Sequence, residues 1–582
     1  MSDGKAPGSD GLPSELYKCG SVALTAKLTE LFQLIWEQQV IPQEFKDATI
    51  VHLYKRKGDR KNCDNHRGIS LLSIAGKILA RLMLNRLITH LEQGLLPESQ
   101  CGFRKGRGTV DMIFAARQLQ EKCQEQNQAF YSTFVDLTKA FDTVSREGLW
   151  KIMAKFGCPP KFIAIVRQFH EGMMARVLDN GDISNDFAVT NGVKQGCVLA
   201  PTLFSMMFSA MLTNALADDP GIPAIYRTDG KLFNPSRLRA GTKVKKTGIR
   251  DFLFADDCAL SALTEHDMQH IMDKFSAACD DFGLTISTSK TEVMHQPAPG
   301  MPYNKPSILV KGKQLEVVDK FVYLGSTLSR AVNIDEEVTA RIAKASSAFG
   351  RLKGNVWERR GIKTSTKLKV YRAVVLTTLL YGSESWTVYS RHARQLNHFH
   401  TTCLRRIFRI KWQDKIPDTE VLRRADLPSI HTLLQKAQLR WAGHVARMPD
   451  HRLPKQLLYG ELKEGKRNRG CPKKRYKDSL KSSLKAFDIE VGSWESDAQD
   501  RQRWRSQIAS GAQRAESRRT TIAQQKRAAR KARAASTSLT APTHGCSVCG
   551  RLFRARIGLI SHLRTHRRHS DTEVAERGGH HR

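Results

Sequence analysis

Apolar and polar positions recur along this chain at spacings that mark out its elements. Leu24, Leu28, Leu31, Phe32 and Ile35 fall at helical spacing and predict a packed helix. Ile50 to Tyr54 alternates as a strand, and Phe130 to Asp136 reads as a strand that ends on an acid. Residues 69–91 carry Ile69, Leu71, Leu72, Ile74, Ile78, Leu79, Leu82 and Leu87 among Lys77, Arg81 and Arg86, which predicts one amphipathic helix. Further helices are predicted from Pro201 through Met211 and near 265–281, with a short strand over 321–326 that ends in a turn. Cys403, Leu404, Ile407 and Ile410 again follow helical spacing. Residues 511–535 are rich in Ala, Arg and Gln; they favour helix but show no apolar stripe that could dock one.

The most informative break in the pattern is at 252–260, Phe-Leu-Phe-Ala-Asp-Asp-Cys-Ala-Leu. An apolar run interrupted by two acids reads as a hairpin with Asp256 and Asp257 at its tip. Adjacent carboxylates repel each other, and one pKa rises unless a cation sits beside them. Two readings stand at this level, a divalent metal site and a solvated turn. The dipeptide alone does not decide, because Asp218-Asp219 and Asp280-Asp281 also occur, in a turn before Pro220 and at a helix end before Gly283.

Length suggests about four domain-sized units. The charge changes the picture more: 94 Lys+Arg against 57 Asp+Glu gives +37 over 582 residues. Such an excess attracts polyanions, and nucleic acid fits better than a membrane surface because no basic amphipathic helix with an aromatic face is present. The N-terminus has no apolar core of a signal peptide, and no stretch approaches the ~18 unbroken apolar residues of a membrane span. Twelve cysteines, scattered singly except for Cys546 and Cys549, suit an intracellular, reduced protein with one metal site. Two basic segments follow: Lys55-Arg56-Lys57-Gly58-Asp59-Arg60, and the loop from Gln100 to Thr109, where three glycines alternate with Arg104, Lys105 and Arg107. The first reads as a solvated loop or a phosphate-backbone contact. The second lets backbone N–H groups and guanidinium forks close on phosphate oxygens.

Taken in order, these segments resemble a reverse transcriptase of the non-LTR (LINE-type) retrotransposon family. The matching pieces are Gly8-Ser9-Asp10-Gly11, the Gly-Phe-Arg-Lys-Gly-Arg-Gly-Thr loop, Asp136 with Lys-Ala-Phe-Asp, Gln195-Gly196 before Cys197-Val198-Leu199-Ala200-Pro201, Phe-Ala-Asp-Asp, Lys290-Thr291 and Tyr323-Leu324-Gly325. Later segments also fit: Tyr381 to Trp386, Arg440 to Val445 and Gly465 to Gly470. The resemblance covers roughly residues 5–510. It implies an α+β right-hand polymerase, with fingers at 1–115, an antiparallel-sheet palm at 116–332 (core 45–328) and a helical thumb at 333–400. A basic helical region at 401–510, a basic flexible linker at 511–543, a small ββα zinc finger at 544–569 and a tail at 570–582 follow.

The resemblance implies that Asp136, Asp256 and Asp257 are catalytic and hold two Mg²⁺ ions about 4 Å apart, which activate a primer 3′-hydroxyl and neutralise leaving pyrophosphate. It places Lys290 as the proton donor to that pyrophosphate, Arg67 and Arg104 on the incoming triphosphate, and Gln195 and Gly196 at the nucleotide and template pocket. Phe141 stands where RNA-templated RNA polymerases of viruses carry an aspartate that accepts a ribose 2′-hydroxyl. A phenyl ring collides with that hydroxyl and cannot accept its hydrogen bond, so the expected product is DNA. Expected partners are an RNA template, a DNA primer or target and dNTPs, with no membrane. The expected location is intracellular: the nucleus, and the cytoplasm with its RNA.

Near the C-terminus, Cys546-x2-Cys549-x12-His562-x3-His566 has the ligand spacing of a ββα zinc finger, with Phe553 and Leu559 at its core positions. So small a module needs its zinc to fold. Its usual base-reading positions fall on Ala555, Gly558 and Ser561, whose side chains are too short to fork onto base edges. Arg551, Arg554, Arg556, Arg564, Arg567 and Arg568 remain to grip phosphates, which predicts a clamp with little sequence preference. The basic segment 511–535 reads as a solvated linker, a nucleic-acid arm or a nuclear-localisation patch. Two alternatives are weighed for the whole: a catalytically silent nucleic-acid-binding descendant, and an intron-encoded maturase, which the zinc finger fits poorly. Relatives usually carry an endonuclease upstream, and nothing here resembles one, so a fragment or a dependence on nicks made elsewhere is expected.

Overall fold

The structure is a computed structural model that describes residues 3–56, 58–194, 196–467, 470, 473–538, 543–553, 555–564 and 566. Two five-stranded sheets dominate the first half of the chain. In one, Ala48–Tyr54 pairs antiparallel with His66–Leu71 and parallel with Met174–Asp179, and the short strands Asp182–Ile183 and Phe187–Ala188 add to the latter. In the other, Phe130–Val135 lies between Asp257–Ala262 and Glu292–Gln296, both antiparallel to it. Asp251–Phe254 closes one edge as the hairpin partner of Asp257–Ala262, and Glu316–Val317 closes the other.

The central strand Phe130–Val135 is buried at Phe130 and from Ser132 through Val135 because helices cover both faces of its sheet. One cover is Glu265–Asp281, capped where Thr264 Oγ1 accepts from Asp267 N at 3.1 Å. Its Met268, Ile271, Met272, Phe275 and Cys279 form the stripe that meets the strands and the neighbouring helix Ala200–Ala215. The other cover is Thr109–Glu125, and twelve of its seventeen residues are buried, which no surface helix could tolerate without partners for its polar groups.

Those partners come from distant parts of the chain. Asp111 accepts from Arg452 Nη2 at 2.8 Å, and Arg117 donates to Ser326 Oγ and Thr327 O at 3.0 and 2.8 Å. Glu121 accepts from Thr387 Oγ1 and Tyr476 N, and Lys122 donates to Gly460 O at 2.6 Å. Phe114 meets Trp441 and Tyr476 edge-on. The region after residue 400 therefore shares a core with this helix. It also adds strand Gly460–Leu462 to the antiparallel pair Ile222–Tyr226 and Lys245–Ile249. Among the described residues no helix is long and apolar enough to cross a membrane.

Three sequence expectations change. Residues 69–71 finish the strand His66–Leu71, and the helix begins only at Ile74, where Ser73 Oγ accepts from Gly76 N. An apolar-rich strand running into an apolar-rich helix carries no change of composition to mark the joint. Ile410 lies beyond helix Ser390–Phe408, which stops at Arg409 in a left-handed conformation (φ 57°). The expected flexible linker at 511–543 is instead helical as far as Ser538, within Arg501–Ser538. Its docking stripe starts upstream of 511: Trp504, Ile508, Ala512 and Ala515 are buried against helix Ile430–Arg447. A Cβ on Gly443 would stand 2.0 Å from Trp504 Nε1, so glycine lets the two helices approach. Glu516 then accepts from Ser429 N and Oγ at the start of that helix.

A buried ion cluster joins three of these elements. Glu337, fully buried on helix Asp335–Arg351, accepts from Arg341 Nε at 2.9 Å, Ser326 Oγ at 3.1 Å and Thr327 N at 2.6 Å. Its charge also offsets the burial that lowers the Arg117 pKa to about 10. Glu337→Ala leaves two buried guanidiniums without it, so we expect about 3–5 kcal/mol of lost stability in urea unfolding. An unchanged midpoint would contradict this role.

Candidate active site

The hairpin Asp251–Phe254/Asp257–Ala262 turns on two residues, Ala255 and Asp256, because Phe254 pairs with Asp257. Ala255 has φ +60°, a conformation that suits glycine and costs a Cβ-bearing residue about 1–2 kcal/mol. The loop at 99–102 holds it there. Gln100 is fully buried, and its Oε1 accepts from Ala255 N at 3.0 Å and from Gly102 N at 2.8 Å. Leu253 N donates to Ser99 O, and Cys101 N to Leu253 O, both at 2.9 Å. A Cβ on Gly102 would lie 2.2 Å from Ala255 N, so a glycine is required where the loop touches the turn.

Asp136 sits one residue past the central strand. The pairing of Val135 with Cys258 sets it beside Asp257 on the neighbouring strand. Its backbone is clamped by the segment 285–291: Asp136 N donates to Thr291 Oγ1 at 3.2 Å, and Ser287 N donates to Asp136 O at 2.9 Å. The same segment carries Lys290, whose Nζ is 3.4 Å from Asp136 Oδ2.

The three acids feel one another. Asp256 and Asp257 are exposed at the turn, and Asp256 lines the cleft beside it. Burial raises the Asp256 pKa; the Asp136 charge adds to the rise and the Arg67 guanidinium opposes it. Burial, and then the charges of Asp256 and Asp136, push Asp257 up to about 6. Asp136 Oδ2 is buried and accepts no hydrogen bond. Three neighbouring carboxylates, with the Lys290 ammonium as the close cation on Asp136 Oδ2, fit hard divalent cations such as Mg²⁺.

A cleft of about 1190 Å³ opens over Asp136 and Asp256, lined also by Arg67, Phe141, Gly196 and Lys290, while Asp257 flanks it on the hairpin strand. Arg67 reaches it from strand His66–Leu71. Phe141 is stacked on Phe204 with centroids 4.5 Å apart, which fixes the ring at the cleft wall. Gly196 has φ +117°, and a Cβ there would be 2.4 Å from Ser70 O, so only glycine lets this loop close on the strand that bears Arg67. Gln195 lies outside the described residues.

Arg104 is not brought into the cleft. Its guanidinium is buried and donates to Pro97 O at 2.8 Å and Gln100 O at 3.2 Å, with Glu92 beside it at 3.4 Å. Arg107 is likewise held by Glu98 and Glu92. The Gly/Arg loop thus braces the acid hairpin, and its arginines fasten the loop. Sequence reasoning assigned no individual role to Gln100 or Thr291, and read Gly102 as part of a phosphate-gripping loop. The available signal was an alanine at a turn position that favours glycine, which implies an external brace.

At the C-terminal end the ligand atoms of Cys546, Cys549, His562 and His566 all lie within 4.8 Å of one another. Strands His544–Gly545 and Leu552–Phe553 pair antiparallel and bring the two cysteines together, and helical residues 556–564 carry His562. Phe553 packs on the His562 ring at 4.8 Å. Two thiols and two imidazoles at this separation fit one tetrahedral cation. Arg554, Arg567 and Arg568 lie outside the described residues.

Residues 55–328 match the family model described as reverse transcriptase (RNA-dependent DNA polymerase). The chain is 25% identical over 439 residues to the RNA-directed DNA polymerase from mobile element jockey of Drosophila melanogaster, covering 74% of this chain and 45% of that protein. It is 23% identical over 459 residues to the probable RNA-directed DNA polymerase from transposon X-element of the same species, covering 77% and 47%. It is 25% identical over 414 residues to the retrovirus-related Pol polyprotein from type-1 retrotransposable element R2 of Popillia japonica, covering 69% and 52%. The chain spans about half the length of these relatives. Every cleft residue named above, from Arg67 to Lys290, falls inside the stretch that is similar to reverse transcriptases.

Proposed function

We propose that this chain is an RNA-directed DNA polymerase of the non-LTR retrotransposon kind, extending a primer 3′-hydroxyl with dNTPs on an RNA template. One observation carries the reading: Asp136 and Asp256, separated by about 120 residues of chain, line one cleft inside the matched stretch, and Asp257 stands beside both on the hairpin. On this reading 1–115 are fingers, 116–332 the palm and 333–400 the thumb of a right hand.

When bound to these carboxylates, Mg²⁺ ions would ease deprotonation of the 3′-hydroxyl and neutralise charge on the pyrophosphate. The chain's own groups do the rest. Arg67, facing Asp256, is in reach of an incoming triphosphate. Lys290 is exposed beside Asp136 and is the donor that can protonate the leaving pyrophosphate. Phe141, wedged on Phe204, meets the sugar where a 2′-hydroxyl would need room. Gln100 and Gly102 keep the Asp256 turn in place while substrate charge enters and leaves. The Cys546/Cys549/His562/His566 group holds zinc and folds a small module that grips nucleic acid through Arg551, Arg556 and Arg564. Such an activity belongs in the nucleus, where a DNA target is found.

On poly(rA)/oligo(dT) with Mg²⁺, the wild-type chain should extend the primer, and Asp256→Asn should lower the rate by at least about a hundred-fold. Equal rates, or none in either protein, would instead favour a nucleic-acid-binding protein without catalysis. Phe141→Val should admit rNTPs at least about ten-fold more readily, since removing the ring removes the clash. Unchanged rejection of rNTPs sinks the role given to Phe141. Elemental analysis should find zinc bound to the chain, and Cys549→Ser should abolish it while primer extension on a pre-annealed primer persists. Zinc retained in that variant would refute the ligand assignment.

A further inference from the structure

Away from the cleft, a groove of about 1680 Å³ runs between the segment 412–436 and the long helix Arg501–Ser538. It exceeds the ~300–1,000 Å³ that usually holds a small ligand, which suits a polymer. At its rim stands Trp412, 83% exposed, more than any other large aromatic side chain among the described residues. An indole so bare is an unused stacking surface.

Its turn is rigid. Lys411 N donates to Asp414 Oδ2 at 2.7 Å, Lys415 N to Trp412 O at 3.3 Å, and Arg527 Nη2 reaches across from the long helix to Lys415 O at 3.0 Å. The ring is thus presented at a fixed place relative to the helix.

Charge then selects the occupant. The acids lining the groove are already engaged. Asp418 is held by Arg405 at 2.6 Å, Glu420 by Arg423 and Arg424, Asp426 by Arg372 at 3.6 Å, and Glu516 by Ser429 and Thr432. Lys415, Lys436, Arg527, Arg530 and Lys531 line the same groove and form no ion pair among the described residues. An aromatic platform flanked by unpaired cations, over a floor that includes Ile416 and Leu427, is what unstacked bases and their phosphates require. A duplex keeps its bases stacked on each other and could not use the indole.

We propose that this groove binds a single-stranded stretch of nucleic acid, with a base stacked on Trp412 and the phosphates along Lys415, Arg527, Arg530 and Lys531. The site is built from other elements than the acid cleft and would serve even a chain that copied nothing.

The full-length, zinc-loaded protein is mixed with excess unlabelled 15-base-pair RNA/DNA hybrid to fill the cleft. A labelled single-stranded RNA carrying 4-thiouridine is then added and photo-crosslinked, and the labelled peptides are mapped by mass spectrometry. Cross-links should fall in the peptides containing Trp412 or Arg527 to Lys531. Trp412→Ala should reduce them roughly 5- to 100-fold, the loss expected for one base–aromatic stack, while Trp412→Phe keeps most of the signal. Because the side chain is exposed, the thermal unfolding of both variants should match wild type. Labelling confined to other peptides, or unaffected by Trp412→Ala, overturns the proposal and leaves a protein partner as the occupant. The readout involves no dNTP, so an inactive polymerase would not disturb it.

Discussion

Everything at the cleft depends on one strand pairing, Phe130–Val135 against Asp257–Ala262 with Val135 opposite Cys258. That register is what brings Asp136 beside Asp257. A slip of one residue would turn the apolar positions of the strand to the wrong faces, so burial fixes the register and the register fixes the acids. The arrangement works against electrostatics, since the Asp136 charge raises the pKa of Asp256, and the charges of Asp256 and Asp136 raise that of Asp257. It persists because the backbone around it is held from two sides. The segment 285–291 clamps Asp136, and Gln100 with Gly102 clamps the strained turn before Asp256. A site that opposes its own charges when bare is a site suited to cations.

The same logic extends outward. Helix Thr109–Glu125 begins directly after the loop that braces the turn, and its buried polar residues bond to segments near 326, 387, 452–461 and 476. Covering the sheet that bears the acids and meeting the C-terminal third, it makes the two parts one packed body. The strand Gly460–Leu462, paired with Ile222–Tyr226, strengthens that joint. The basic charge beyond residue 400 is accordingly presented on a framework fixed to the cleft, and the long helix Arg501–Ser538 starts from that framework.

Much of this was legible in the sequence where chemistry and spacing coincide. The acid hairpin stood out because two carboxylates interrupted an apolar run, and the strand read as ending on Asp136 ends one residue earlier, at Val135. The Cys/His spacing gave the C-terminal quartet directly, since four ligands at fixed offsets leave few geometries. What stayed hidden depended on contacts between distant residues. Arg104 looks like a phosphate ligand until Glu92 and the carbonyls of Pro97 and Gln100 are found around it. Gln100 is an ordinary polar residue until Ala255 is seen at φ +60°. The docked start of the long helix was missed because its anchors, Trp504 and Ile508, precede the Ala/Arg-rich stretch that drew notice.

The central claim is that Asp136, Asp256 and Asp257 together form a divalent-cation site. Manganese titration followed by electron paramagnetic resonance tests it most directly, using the full-length protein with a dideoxy-terminated primer on an RNA template and a matching dNTP. The account predicts tightly bound Mn²⁺ that is lost when Asp136 is changed to Asn, although Asp136 is remote in sequence from the hairpin. Manganese binding of the same stoichiometry and affinity in the Asp136→Asn protein would contradict it.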